Sequence, residues 1–122
     1  MVRLSSLMIS CLLISAIACA APINVAASVN GGVASQSSTY QGDTANFGPQ
    51  WAIDGDTNGN WLALGHIQHT ANEPGAWLRV DFNQPYLISS FLLFNRTDCC
   101  AARANEYYIE LIHKGPYKSE SG

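Results

Sequence analysis

Ala76-Trp77-Leu78-Arg79-Val80-Asp81-Phe82 alternates residue by residue. Leu78, Val80 and Phe82 fall on one side, Trp77, Arg79 and Asp81 on the other. A period of two is that of a half-buried strand, because successive side chains point to opposite faces of a pleated backbone. Arg79 and Asp81 share the polar side and are expected to pair with each other. Asn83-Gln84-Pro85 then turns the chain. Tyr86 to Phe94 is a long apolar run broken only by Ser89 and Ser90, and reads as a strand covered on both faces. Tyr107-Tyr108-Ile109-Glu110-Leu111-Ile112 reads as another, with Tyr107, Ile109 and Leu111 turned inward. Val25 to Tyr40, rich in Ser, Ala, Val and Gly, reads as short strands or extended chain. Short strands joined by Gly-, Asn- and Pro-rich loops, with little helix signal, predict an all-β fold: an antiparallel β-sandwich or jelly roll.

The ends frame this unit. Met1-Val2-Arg3, the apolar run Leu7 to Ala18 and the small residues Ala18-Cys19-Ala20 have the layout of a secretory signal peptide. The run is too short to span a bilayer. Residues 1–20 are therefore expected to be removed, and 21–122 to form one domain in the extracellular space. That domain keeps five of the six Lys and Arg and all nine acidic residues, a net charge of −4. Such a chain has no basic footprint for nucleic acid and no polybasic patch for a membrane surface. Neutral or weakly charged ligands suit it better. Its remaining cysteines, Cys99 and Cys100, are adjacent. A bond between neighbours adds almost no loop-closure stabilisation, so the pair is a poor fold staple; two free thiols are the alternative.

Two loops carry the chemistry. In Asp54-Gly55-Asp56-Thr57-Asn58-Gly59-Asn60, oxygen-bearing side chains recur at every second position with glycines between. Hard cations such as calcium take six to eight oxygens from a tightly curled backbone. The closing Glu of a calcium-binding EF-hand is missing, since Gly65 stands there, and a surface turn built of turn-forming residues is the alternative. In Asn95-Arg96-Thr97-Asp98-Cys99-Cys100-Ala101-Ala102-Arg103, two arginines flank an aspartate that can fix one guanidinium. Two converging guanidiniums, rigid forks of donors, can grip the oxygens of a polyol or a carboxylate.

His69, twenty-six residues, Arg96, one residue, Asp98, four residues, Arg103 is a spacing that resembles the sugar motif of the F-type lectins. That fucolectin family is related to the discoidin-like, galactose-binding-like jelly rolls. Asn24-Val25-Ala26, Gln36-Ser37-Ser38, Trp51-Ala52-Ile53-Asp54-Gly55 and Trp77-Leu78-Arg79-Val80-Asp81 are also similar to the family, so the resemblance runs from Asn24 to His113. It implies a lectin for L-fucose-terminated glycans, used in agglutination or innate recognition, working as an oligomer and not as an enzyme. His69 would donate to the axial 4-hydroxyl, and Arg96 and Arg103 to oxygens on the same edge. A Cys99–Cys100 disulfide would stack on the ring, and Trp61 and Leu62 would line a pocket for the methyl group. Calcium would take the backbone carbonyls of Trp51 and Asp56, the side chain of Asp54, and an oxygen near Gly65 or His66.

The family pattern continues beyond His113-Lys114 with further strands, a late acidic calcium ligand and a cysteine bridge. The domain is therefore expected to be incomplete at its C-terminus and to hold calcium weakly. A secreted vicinal dithiol with redox sensitivity, or a fragment that binds nothing, are the rival readings. Asn95-Arg96-Thr97 is a glycosylation sequon at a strand end, expected to be unmodified.

Overall fold

The computed structural model describes residues 21–112. The expected signal peptide, residues 1–20, and the chain from His113 onward lie outside the described residues. Strand β1, Val33–Gln36, pairs antiparallel with β2, Leu78–Asp81, in the register Val33 to Asp81 and Gln36 to Leu78. The alternating stretch thus does form a strand. Side chains fasten both ends of this ladder. The Trp77 N–H donates to Ser37 Oγ (3.1 Å) at one end, and Asn83 Nδ2 to the Asn30 carbonyl (3.3 Å) at the other. Arg79 and Asp81 form an ion pair on the ladder.

Between the strands the chain folds as a series of single turns, each started or stopped by a residue suited to it. Asp43 caps helix α1, Thr44–Phe47, its Oδ1 accepting from Asn46 N–H at 3.1 Å. Pro49 opens a 3-10 turn, Pro49–Ala52, where its missing N–H costs nothing. Asn60 caps helix α2, Trp61–Leu64, and Gly65 ends it at φ 75°, in the left-handed region that glycine enters freely. A final 3-10 turn covers Ala101–Glu106. The buried apolar centre is small: Ala27, Phe47 and Ile53. Ser28 N–H donates to the Ile53 carbonyl at 2.8 Å, which lays the N-terminal arm over that centre.

The all-β expectation is met in part: the described residues hold two strands, paired antiparallel, and two further expected strands are not formed. Among the described residues, Tyr86 to Phe94, expected to be covered on both faces, pairs with no strand; Leu87 is 100% exposed and Leu92 80%. Tyr107 to Ile112 likewise has no strand partner among them, with Tyr108 89% exposed. A strand persists only where its N–H and C=O groups meet a neighbour's, and apolar content alone provides no neighbour. Val25 to Tyr40 contributes one strand, with a 3-10 turn on each side, Ser28–Asn30 and Tyr40–Gly42, and irregular chain between. An apolar cleft of about 620 Å³ lies between the N-terminal arm and the extended segment 86–94; neither His69 nor Arg96 lines it.

Candidate functional site

Segment 67–69 is laid against α1 by its backbone. Ile67 N–H donates to Asn46 O (2.9 Å), His69 N–H to Phe47 O (3.2 Å), and Tyr40 N–H to His69 O (3.0 Å). The His69 ring therefore sits among aromatic neighbours, 4.7 Å from Tyr40 and 6.0 Å from Phe47 between centroids. Its Nδ1 lies 2.5 Å from the Thr70 carbonyl. A carbonyl only accepts, so Nδ1 is the donor in this contact.

Phe47 connects this histidine to the arginine loop. It stacks at 6.0 Å on Trp61, and the Arg96 guanidinium lies 5.4 Å from the centre of the Trp61 ring, within cation–π range. His69 and Arg96 thus rest on one continuous aromatic chain, His69–Phe47–Trp61–Arg96. Trp61, expected in a methyl pocket, already serves as the platform under Arg96. Leu62 is largely exposed, and its backbone N–H faces the Asp98 carboxylate.

Asp98 holds Arg96 from the other side in a two-point clasp, Nε to Oδ1 at 2.5 Å and Nη2 to Oδ2 at 2.9 Å. The Asp98 side chain is 4% exposed. The hydrogen bonds from Arg96 hold its carboxyl well below the usual range, at about 2, against the opposing effect of burial; the Arg96 charge and the Leu62 N–H help. Hydrogen bonding to Asp98 in turn raises the pKa of Arg96. The guanidinium is a fixed cation.

The neighbouring cysteines are joined as a vicinal disulfide, with Cys100 at φ 62°, in the left-handed region. That turn of the backbone starts the 3-10 segment carrying Arg103, whose N–H donates to Cys100 O at 3.0 Å. Arg103 is exposed and makes no ion pair among the described residues. His69, Arg96 and Asp98 are thus linked through Phe47 and Trp61, whereas the cystine and Arg103 are placed by the turn of the backbone after Asp98.

The Asp54–Asn60 loop is a cascade of Asx turns. Asp54 Oδ1 accepts from Asp56 N–H (2.9 Å), Asp56 Oδ1 from Asn58 N–H (2.8 Å), and Asn58 Oδ1 from Asn60 N–H (3.1 Å). The every-second-residue pattern is thereby spent on the backbone. Trp51 and His66 stack with ring centres 3.9 Å apart, so two of the expected metal-site residues do adjoin. No group of three or more His, Cys, Asp or Glu side chains suited to a metal ion occurs among the described residues. The loop's far end meets the arginine arm directly. Thr97 N–H donates to Gly59 O at 2.9 Å, and a Cβ on Gly59 would stand 2.1 Å from Asn95 O.

Tyr40 and Phe47 were missed by sequence reasoning. The cue was there, two aromatic residues in polar turns, but no periodicity tied them to His69.

Residues 51–121, more than half the chain, match the family model of the NedA-like, galactose-binding domain. Fucolectin-5 of Anguilla japonica is 39% identical over 79 residues, 64% of this chain and 41% of that protein. Fucolectin of Anguilla anguilla is 38% identical over 81 residues, 66% and 51% respectively. Fucolectin-1 of Anguilla japonica is 44% identical over 55 residues, 45% and 30%. The matched stretch thus spans about half or less of these relatives' length. No solved structure matches the chain. The family model covers more than half the residues, so the chain belongs to the NedA-like galactose-binding domain family, and it is similar in sequence to the fucolectins.

Proposed function

We propose that this chain is a secreted, non-enzymatic lectin domain that binds L-fucose-terminated glycans at His69, Arg96, Arg103 and the Cys99–Cys100 disulfide. The observation that carries the reading is the aromatic chain from His69 to an Arg96 already fixed by Asp98. A sugar pays little to order donors that are ordered in advance. Two of the five N–H groups of Arg96 are used on Asp98, which leaves three for sugar oxygens. With Nδ1–H bound to Thr70, Nε2 is the ring nitrogen left to meet the axial hydroxyl, whose oxygen accepts from an arginine. The cystine offers a flat, polarisable surface to the sugar ring, with Leu62 and the edge of Trp61 toward its methyl group.

Calcium would be held by Asp54 with the carbonyls of Trp51 and Asp56 and an oxygen near His66. These donors are all oxygens, as a hard cation requires, and the Asx cascade supplies the curled backbone. The set is thin, because it has one carboxylate, Asp54, and the cascade already engages one of its oxygens. Bound calcium would stiffen the loop that leads to His69.

A single monosaccharide site buries few atoms and binds weakly, so several sites per particle would be needed for agglutination or recognition of foreign glycans. Secretion agrees with the lack, among the described residues, of any helix long and apolar enough to cross a membrane. The test is a glycan array with the folded protein, before and after treatment with a dithiol reductant. Retention of fucose-terminated glycans, weakened by reduction, is expected. Well-folded protein that ignores fucose would sink the proposal. The adjacent cysteines also favour the rival reading of a redox-sensitive dithiol; reversible reduction that leaves fucose retention unchanged would support it instead.

A further inference from the structure

The Asn95 side chain is bonded in both directions. Its Oδ1 accepts from Arg96 N–H at 2.8 Å, and its Nδ2 donates to the Ala101 carbonyl at 2.9 Å. The second bond closes residues 95–101 into a ring that contains Arg96, Asp98 and the vicinal cystine, and it ends where the turn bearing Arg103 begins. We propose that Asn95 is a positioning residue for sugar binding: its carboxamide clamps the 95–101 loop and so sets the separation of Arg96 from the cystine and Arg103. The inference rests on the lectin reading for its functional consequence, although the clamp is a property of the loop itself.

The chemistry demands an amide. One end of the side chain must accept and the other must donate, which a carboxamide does at neutral pH and a carboxyl of the same size does only when protonated. The flanking groups offer no substitute. Arg96 and Asp98 are committed to each other, the cystine has no N–H or O–H to offer, and Thr97 uses its own N–H on Gly59 O. Asn95 also heads the Asn95-Arg96-Thr97 sequon. The nitrogen that would bear a glycan is the one that holds Ala101, so the test requires protein made in a host that attaches no N-glycans.

Asn95→Asp is nearly isosteric. At pH 7 its carboxylate still accepts from Arg96 N–H but faces the Ala101 oxygen with no proton. Fucose affinity, measured by calorimetry, is expected to fall roughly tenfold relative to wild type, the scale of a lost hydrogen bond with added repulsion. Protonation restores a donor, so the ratio of variant to wild-type affinity should recover toward one as pH falls to about 4, within the ordinary carboxylate range. The Arg96–Asp98 clasp stays ionised there, because the Asp98 carboxyl is held down to about 2. Equal affinities at pH 7, or a loss that acid does not repair, would overturn the proposal. Hydrogen exchange at the Arg103 N–H, bonded to Cys100 O beside the clamp, gives a readout without sugar. Exchange should be slow in wild type and faster in Asn95→Asp at pH 7. Were wild type to ignore fucose while this difference held, the lectin reading would fail and the clamp would stand. Fast exchange in wild type would remove the clamp.

Discussion

Arg96 is the residue on which most of the site's geometry converges. It rests on Trp61, is clasped by Asp98 and follows the Asn95 carboxamide. Asp98→Asn would retain the size of the partner and remove its charge, trading two charge-assisted bonds for a weaker contact. Fucose affinity by calorimetry is expected to drop on the order of tenfold, since hydrogen bonds to charged groups are the stronger kind. The pH dependence follows from the direction of the shift. The Asp98 pKa is depressed, so its contribution to stability is complete above the ordinary carboxylate range, about 4. It is lost as pH falls through about 2. Acid melting curves of wild type should therefore lose a component between about pH 4 and 2 that Asp98→Asn lacks.

At the scale of elements, two loops meet at Gly59. The contact is close enough that any side chain there would strike Asn95 O. Gly59→Ala should push the arginine arm away from the Asx loop. Overpacking of this kind costs about 1–3 kcal/mol. Calorimetric melting should show a fall of roughly 5 °C or more, at the usual 4–8 °C per kcal/mol for small domains. Calcium bound as proposed would act on the same loop. Millimolar calcium against a chelator should raise the melting temperature only by about 1–3 °C, because stabilisation grows with the ratio of free ion to dissociation constant. Micromolar, stoichiometric binding in calorimetry would contradict the thin donor set.

For the molecule as a whole, the exposed apolar run Tyr86 to Phe94 is the feature out of keeping with a free surface. Contiguous apolar patches favour association. Sedimentation is expected to show weight-average mass rising with concentration in the micromolar range, and the dye ANS should bind; a strict monomer with no dye binding would contradict this. The same run marks the limit of what the sequence made legible. The alternation at Leu78 to Asp81, the Arg79–Asp81 pair and the turn at Asn83 were readable because period and turn chemistry are local. The spacing from His69 to Arg103 could also be read along the chain. The environment of His69 could not, since Tyr40 and Phe47 reach it through backbone bonds from separate turns. Nor could the fate of Tyr86 to Phe94, because strand pairing depends on a neighbour and not on the strand's own composition.

The Asx cascade of Asp54 to Asn60 has a consequence in time. Its bonds join residues two positions apart, and such turns close early and at small entropic cost. The Thr97 bond to Gly59 O spans much of the C-terminal half and must wait for a longer search. During folding, the arginine arm is therefore expected to dock onto a loop already formed.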